Sequence, residues 1–235
     1  MKVVTPSRRD PIRSRSAEHS REAILTAAIR EFADEGVAGA RTDEIARAAG
    51  VNKALLYYYF KDKETLYGAV LDFAFSGLRE RVFPILDSDL KPGDKLMRFV
   101  AGYFDRLAQS PFLPRLVQLE MMRVGRNPSP HMKRIVERHF RPMLTKVIAV
   151  LQQGVVAGEF REVDAMQFMP SVVGMCVHYF VSAPVVRIFL QCDPLAPEFI
   201  ARRRAAVLDF VAAALFVDRE HGLQIVQSLQ TGVTQ

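Results

Sequence analysis

Thr42-Asp43-Glu44-Ile45-Ala46-Arg47-Ala48-Ala49-Gly50-Val51-Asn52-Lys53-Ala54-Leu55-Leu56-Tyr57-Tyr58-Tyr59-Phe60 decides the fold of this chain. Thr42 is placed to cap a helix whose first turn carries Asp43 and Glu44, residues that suit the positive end of the helix dipole. Its apolar positions are Ile45, Ala46 and Ala49, and Gly50 ends it, since glycine accepts the left-handed backbone of a tight turn. Asn52 then caps a second short helix from Lys53 to Phe60. Val51 fills the angle between the two, so the stretch reads as a helix-turn-helix. At about 100° per residue, Lys53, Ala54, Tyr57 and Tyr58 fall within an arc of about 140°, while Leu56 and Phe60 lie together elsewhere. An ammonium, a small residue that permits close approach and two phenols suit the major groove of DNA, with Tyr59, Lys61 and Lys63 flanking them as phosphate contacts. The competing reading makes the aromatics core and the lysines a solvated face. Three consecutive tyrosines on a helix cannot all face one core, however, so at least one phenol is left for solvent or a partner.

Outward from this stretch the periodicity stays helical. A first helix is expected from about Ala17 to Glu35, with Ile24, Ala28 and Phe32 on one face and Gly36 as its stop. Asp62 can cap a long helix running through Leu66, Val70, Phe73 and Leu78 toward Phe83-Pro84. Later spans are expected at 94–109, 112–123, 131–157, 164–183 and 197–218, separated by Ser110-Pro111, Asn127-Pro128-Ser129-Pro130, Gly158 and the segment from Cys192 to Pro197. Period-2 alternation is absent, and the chain reads as all-α.

Composition narrows the function classes. The 235 residues carry a net charge of +6, of which +4 lies in residues 1–16, where Lys2, Arg8, Arg9, Arg13 and Arg15 face only Asp10. That tail has no apolar periodicity and reads as disordered. Cys176 and Cys192 cannot form a disulfide framework for a chain of this size, and they fit no metal-ligand spacing. No secretory signal is visible, and a reducing cytoplasm fits. Ala165 to Val186 holds no charged residue and is long enough to span a membrane, but Gln167, Pro170, Ser171, His178, Ser182 and Pro184 interrupt it, which favours a helix of a soluble bundle. Walker, dinucleotide, nucleophile-elbow and zincin motifs are missing, and the five histidines are scattered. No enzyme activity, cofactor or metal site is therefore expected.

The stretch from Thr42 to Lys53, followed by Leu56-Tyr57-Tyr58-Tyr59-Phe60-Lys61-Asp62-Lys63-Glu64-Thr65-Leu66, resembles the DNA-binding domain of the TetR/AcrR family of bacterial transcriptional regulators over residues 20–67. The resemblance implies a phosphate contact at Thr42, groove-facing positions at Lys53, Ala54, Leu55, Tyr57 and Tyr58, and hold on the DNA backbone at Tyr59 and Lys63. Leu55 departs from the small or hydroxylated residue often found at its position, and could instead pack on a thymine methyl.

Residues 68–220 then correspond to an effector-binding and dimerisation bundle, after a tail at 1–19 and before a C-terminal tail at 221–235. The resemblance implies that the last two long helices pair into a four-helix dimer interface, with a small-molecule cavity among the helices before them. Val207, Phe210, Val211, Ala214 and Leu215 form a stripe suited to that interface. Seven of the nine methionines lie between Met121 and Met175, where they could form an adaptable wall or ordinary core. Candidate effector contacts are Tyr103, Met121, Met122, Arg123, Met143, Met169, Met175 and His178. Eight basic residues between Arg115 and Lys146 could pair an anionic effector or form a solvated face. The expected protein is thus an all-α, cytoplasmic homodimer that binds a palindromic double-stranded DNA operator and releases it when a small molecule binds. The alternative is a helical protein-interaction module without DNA binding.

Overall fold

Apolar residues recurring at helical spacing give a structure built from helices alone. The computed structural model describes residues 11–110, 112–123 and 130–231. Among them the extended contacts reduce to one isolated bridge between Phe160 and Phe216. The chain divides into two compact units, residues 1–73 and 74–235. This division falls six residues beyond the boundary expected from the motif, because helical periodicity continues unbroken through it.

In the first unit, α1 (Pro11–Gly39) buries Ile24, Leu25, Ala28 and Phe32, and Phe32 meets Tyr67 edge to face at 5.1 Å. It starts six residues before the expected Ala17. Pro11 has the fixed φ of a first helical turn, and the Arg, Ser and Glu residues that follow tolerate a helix. The expectation of a disordered tail to residue 19 is thereby corrected for residues 11–19, while residues 1–10 lie outside the described residues. Gly36 adopts φ +65 and breaks the helix where expected, with one further turn to Gly39.

Next, α2 (Thr42–Ala48) and α3 (Lys53–Tyr59) are joined by a turn in which Gly50 takes φ +67. Val51 N donates to Ala46 O at 3.0 Å and Gly50 N to Arg47 O at 3.2 Å, the paired bonds that close a helix on a left-handed residue. Asn52 Oδ1 accepts from Leu55 N at 2.8 Å, and Asp62 Oδ1 accepts from Thr65 N at 2.7 Å to start α4 (Lys63–Leu86). Thr42, however, is not a cap. Arg41 occupies that position in extended conformation, its N–H held by Glu31 Oε1 at 2.9 Å, so Thr42 is the first helical residue and its hydroxyl is released for other use.

The second unit comprises the rest of α4 with α5 (Pro92–Gln109), α6 (Phe112–Arg123), α7 (Pro130–Ile135), a π-helical turn (Val136–Phe140), α8 (Arg141–Val156), α9 (Ala165–Leu190), α10 (Pro197–Leu215) and α11 (Arg219–Thr231). Two expectations are corrected here. First, α9 runs past the expected end at 183, since Pro184 removes one N–H donor without forbidding the following turns, and the helix stops at Gln191 with φ 50. Second, the expected tail from residue 221 is helical to Thr231. Asp218 Oδ1 caps α11 through Glu220 N at 2.9 Å, and Gly222, Ile225, Val226 and Leu229 recur at helical spacing.

The α8–α9 connection is locked to the end of α10. Phe160 and Phe216 meet edge to face at 5.2 Å, Arg161 N donates to Leu215 O at 2.9 Å, and Val217 N donates to Glu159 O at 3.0 Å. Gly154 on α8 leaves the space that the Phe160 ring occupies: a Cβ there would stand 1.9 Å from Phe160 Cδ2. Because Phe160 is itself buried, the ring cannot swing into solvent. Gly154→Ala is expected to cost about 1–3 kcal/mol by overpacking and to lower the melting temperature by roughly 3–10 °C, read by thermal denaturation.

Candidate nucleic-acid interface and ligand cavity

The helix α3 has seven residues, too few to persist alone, and it is held by its packing on α1 and α2. Leu56 is fully buried and Phe60 almost so, which fixes the rotation of the helix. The opposite arc is then presented outward as expected, with Lys53 and Ala54 exposed, Tyr57 42% exposed and Tyr58 81% exposed. Leu55 and Tyr59 are intermediate. The three consecutive tyrosines therefore divide their roles by geometry, one facing outward, one at the edge and one turned toward α1.

The polar contacts around this arc organise it. The hydroxyl freed by the shift of Thr42 into the helix lies 3.2 Å from Tyr57 Oη, tying the start of α2 to the exposed side of α3. Lys53 Nζ sits 2.8 Å from Asp43, and that carboxylate, by hydrogen bond and charge, raises the ammonium's pKa. Arg47 pairs with Glu44 at 2.6 Å and lowers the Glu44 pKa through the same two effects. All four side chains are exposed, so these pairs are inexpensive to open and leave the cations available to a phosphate.

Two residues assigned by resemblance to the DNA backbone are engaged within the unit. Tyr59 Oη donates to Ala17 O at 3.0 Å. Lys63 Nζ donates to Ala38 O at 2.9 Å and Ala40 O at 3.1 Å, closing carbonyls left open where α1 ends. An ammonium has three donors, so Lys63 keeps one for an outside acceptor. Sequence reasoning missed this structural duty, because nothing in local spacing links residue 63 to residues 38 and 40.

Within the second unit a cavity of about 700 Å³ opens among α4, α5, α6, the π turn, α8 and α9. Of the expected contacts, Tyr103, Met121, Met143, Met169 and His178 line it. Met122 and Met175 do not, which corrects both. Met122 follows Met121 by one helical step and so faces about 100° away into solvent, and Met175 is displaced in the same way from Gly174, which does line the cavity. The Arg123 side chain lies outside the described residues. Phe75, Gln118 and Phe140, to which no local spacing points, complete the wall from elements distant in the chain. Of the basic run, Arg141 reaches the cavity and pairs with Glu137 at 3.0 Å, while Lys146 bonds Asp87 and lies over the Phe83 ring. Among the described residues no cluster of three or more His, Cys, Asp or Glu is placed to hold a metal ion.

Comparison with known proteins finds matches for both parts of the chain. Residues 24–70 match the family model described as bacterial regulatory proteins, tetR family, and residues 92–211 match a tetracyclin repressor-like C-terminal domain. The HTH-type transcriptional repressor SCO4008 of Streptomyces coelicolor is 36% identical over 141 residues, covering 58% of this chain and 66% of that protein. The HTH-type transcriptional repressor NicS of Pseudomonas putida is 26% identical over 153 residues, 65% of this chain and 69% of its own length. The solved structure of the ketosteroid transcriptional regulator KstR2 of Mycobacterium tuberculosis covers 84% of this chain and 95% of that chain, with a TM-score of 0.66 at 22% identity. With an N-terminal and a C-terminal family model both matched, the second over half of the chain, the chain belongs to the TetR family of bacterial regulatory proteins.

Proposed function

We propose that this chain is a homodimeric, ligand-responsive repressor that reads a palindromic operator with α3 and releases it when a small molecule occupies the cavity of the second unit. The observation that carries the reading is the outward arc of Lys53, Ala54, Tyr57 and Tyr58 on a capped helix whose other side is sealed by Leu56 and Phe60. A large phenol held 81% exposed on so short a helix gains nothing for folding. It is suited to a base edge or a thymine methyl. Such a regulator works beside the bacterial chromosome, in the cytoplasm, and carries out no reaction of its own.

The dimer is supported by the apolar surface left over within one chain. Only 22% of the most apolar stretch of α9 is buried. Its end exposes Ile188, Phe189 and Leu190, and α10 exposes Phe210. The stripe expected on α10 divides in two: Val207, Val211 and Leu215 pack inside the subunit, while Phe210 and Ala214 stay outside. A second copy would cover this surface, and a palindromic operator offers one half-site to each α3 of such a dimer.

The reading is tested by operator and scrambled-DNA binding across a salt series. Tyr58→Ala is expected to cost on the order of 1–3 kcal/mol on operator and to reduce the specificity ratio with little change in salt slope. Lys63→Ala is expected to weaken both DNAs alike, to flatten the salt dependence by roughly 0.9 per site, and to lower the melting temperature as well, because Ala38 and Ala40 lose their donor. Unchanged affinities in both folded variants would remove α3 as the reading head and favour a protein-interaction module.

For the assembly, sedimentation of the wild type is expected to give a dimer at micromolar concentration, and Phe210→Asp a folded monomer that no longer holds operator. A wild-type monomer would overturn the proposed interface.

A further inference from the structure

The cavity of the second unit has a composition that selects among ligands. At about 700 Å³ it is of a size to enclose a drug-sized molecule. Its wall is almost wholly aliphatic, aromatic and methionine, and its polar side chains are Tyr103, Gln118, Arg141 and His178. Among the described residues no aspartate or glutamate lines it. His178 is exposed, and Arg141 already pairs with Glu137 on the outer face of its helix.

Tyr103 differs from the other three. It is 6% exposed, yet it lines the cavity and its hydroxyl forms no hydrogen bond with any described residue. That oxygen is also not among the polar atoms sealed off from all accessible space. A phenol in an apolar interior normally finds a partner, since leaving it unmatched sacrifices the bond it made with water. Burial pushes the Tyr103 pKa up, so the group is a neutral donor at any physiological pH. Its neighbour Cys176 is likewise held neutral, its thiol pushed up to about 12 by burial.

We propose that the ligand of this cavity is an apolar molecule, neutral where it is buried, that carries a carbonyl or hydroxyl oxygen to accept a hydrogen bond from Tyr103. Tyr103 is thus the residue that distinguishes oxygenated ligands from plain hydrocarbons of the same shape. A buried cation is rejected, because the lining offers it no carboxylate and supplies Arg141 as a like charge. The inference rests on the reading of the second unit as the ligand-binding half of a regulator, and it adds the chemical class to that reading.

Benzophenone and diphenylmethane differ by one carbonyl oxygen at almost constant size and serve as the probe pair, with benzhydryltrimethylammonium as the cationic counterpart. Titration calorimetry on the full-length wild-type protein is expected to show benzophenone bound about three- to tenfold more tightly than diphenylmethane, the range set by one net hydrogen bond. Tyr103→Phe is expected to abolish that preference and leave diphenylmethane binding within about twofold. The cationic probe is expected to bind at least about tenfold more weakly than benzophenone. The infrared carbonyl stretch of bound benzophenone reads the bond directly in the wild type, and should lie at lower frequency than in hydrocarbon solvent even if Tyr103→Phe fails to fold. Equal binding of the pair by the wild type, a preference that survives Tyr103→Phe, an unshifted stretch, tight binding of the cation, or no binding of any probe would each overturn the assignment. Operator retention is measured on the same preparations. Retention without an oxygen preference overturns the ligand class and leaves the regulator reading standing, whereas an oxygen preference without retention does the reverse.

Discussion

The proposed reading of DNA by α3 depends on fixing the rotation of a helix two turns long. Seven residues cannot hold a helical conformation in water on their own hydrogen bonds, so α3 borrows its order from the two helices beneath it. Leu56 and Phe60 are the anchors, and because they are buried the remaining positions have no freedom to exchange places with them. Asn52 fixes where the helix begins and Gly50 fixes the angle at which the chain enters it. Tyr58 is exposed as a consequence of these constraints rather than by a preference of its own. A one-residue slip would rotate it by about 100° toward the core and bring Leu56 outward.

The second unit solves a different problem: it must be firm while leaving space inside. Firmness is concentrated at one end, where the Phe160 and Phe216 rings interlock against Gly154 and the backbones pair through Arg161 with Leu215 and Val217 with Glu159. The cavity is lined instead by side chains whose shapes adapt, among them Met121, Met143, Met166 and Met169. The π turn at Val136–Phe140 belongs to the same region. An extra residue in a helical turn alters the direction of the side chains that follow, and here Val136, Phe140 and Arg141 all reach the cavity wall.

How legible each unit was follows from this difference. The first unit is made of short-range relations such as Asn52 with Leu55, Asp62 with Thr65, Gly50 at its turn and a face of Ile24, Ala28 and Phe32. Each is visible as a residue type at a fixed offset. What escaped there were long-range duties, such as Lys63 on the carbonyls of Ala38 and Ala40. In the second unit, local signals gave the helices but not the wall they enclose. Met121 and Met122 are equally apolar neighbours, and only the packed structure shows which of them reaches the cavity wall. The last helix was missed because its buried face of Gly222, Ile225 and Val226 is short and includes a glycine. The glycine has a physical reason, since a Cβ at Gly222 would meet the Phe216 ring at 3.0 Å.

The link between ligand and DNA is constrained by thermodynamics before any pathway is considered. A ligand weakens operator binding only to the extent that it binds better to the conformation that reads DNA poorly, and a tenfold loss of affinity requires about 1.4 kcal/mol of such preference. Helix α4 begins at the Asp62 cap directly after α3, and farther along it contributes Phe75 and Leu78 to the cavity wall. Phe75 stacks 5.8 Å from His139 and meets Phe140 edge to face at 5.1 Å, both residues of the π turn. A ligand that displaces Phe140 must therefore displace or repack Phe75, because close-packed rings offer no slack to absorb the change. The apolar character of the cavity fits this requirement: dispersion contacts with Phe75 and Phe140 change sharply over fractions of an ångström, so a well-packed ligand can discriminate between two positions of one helix.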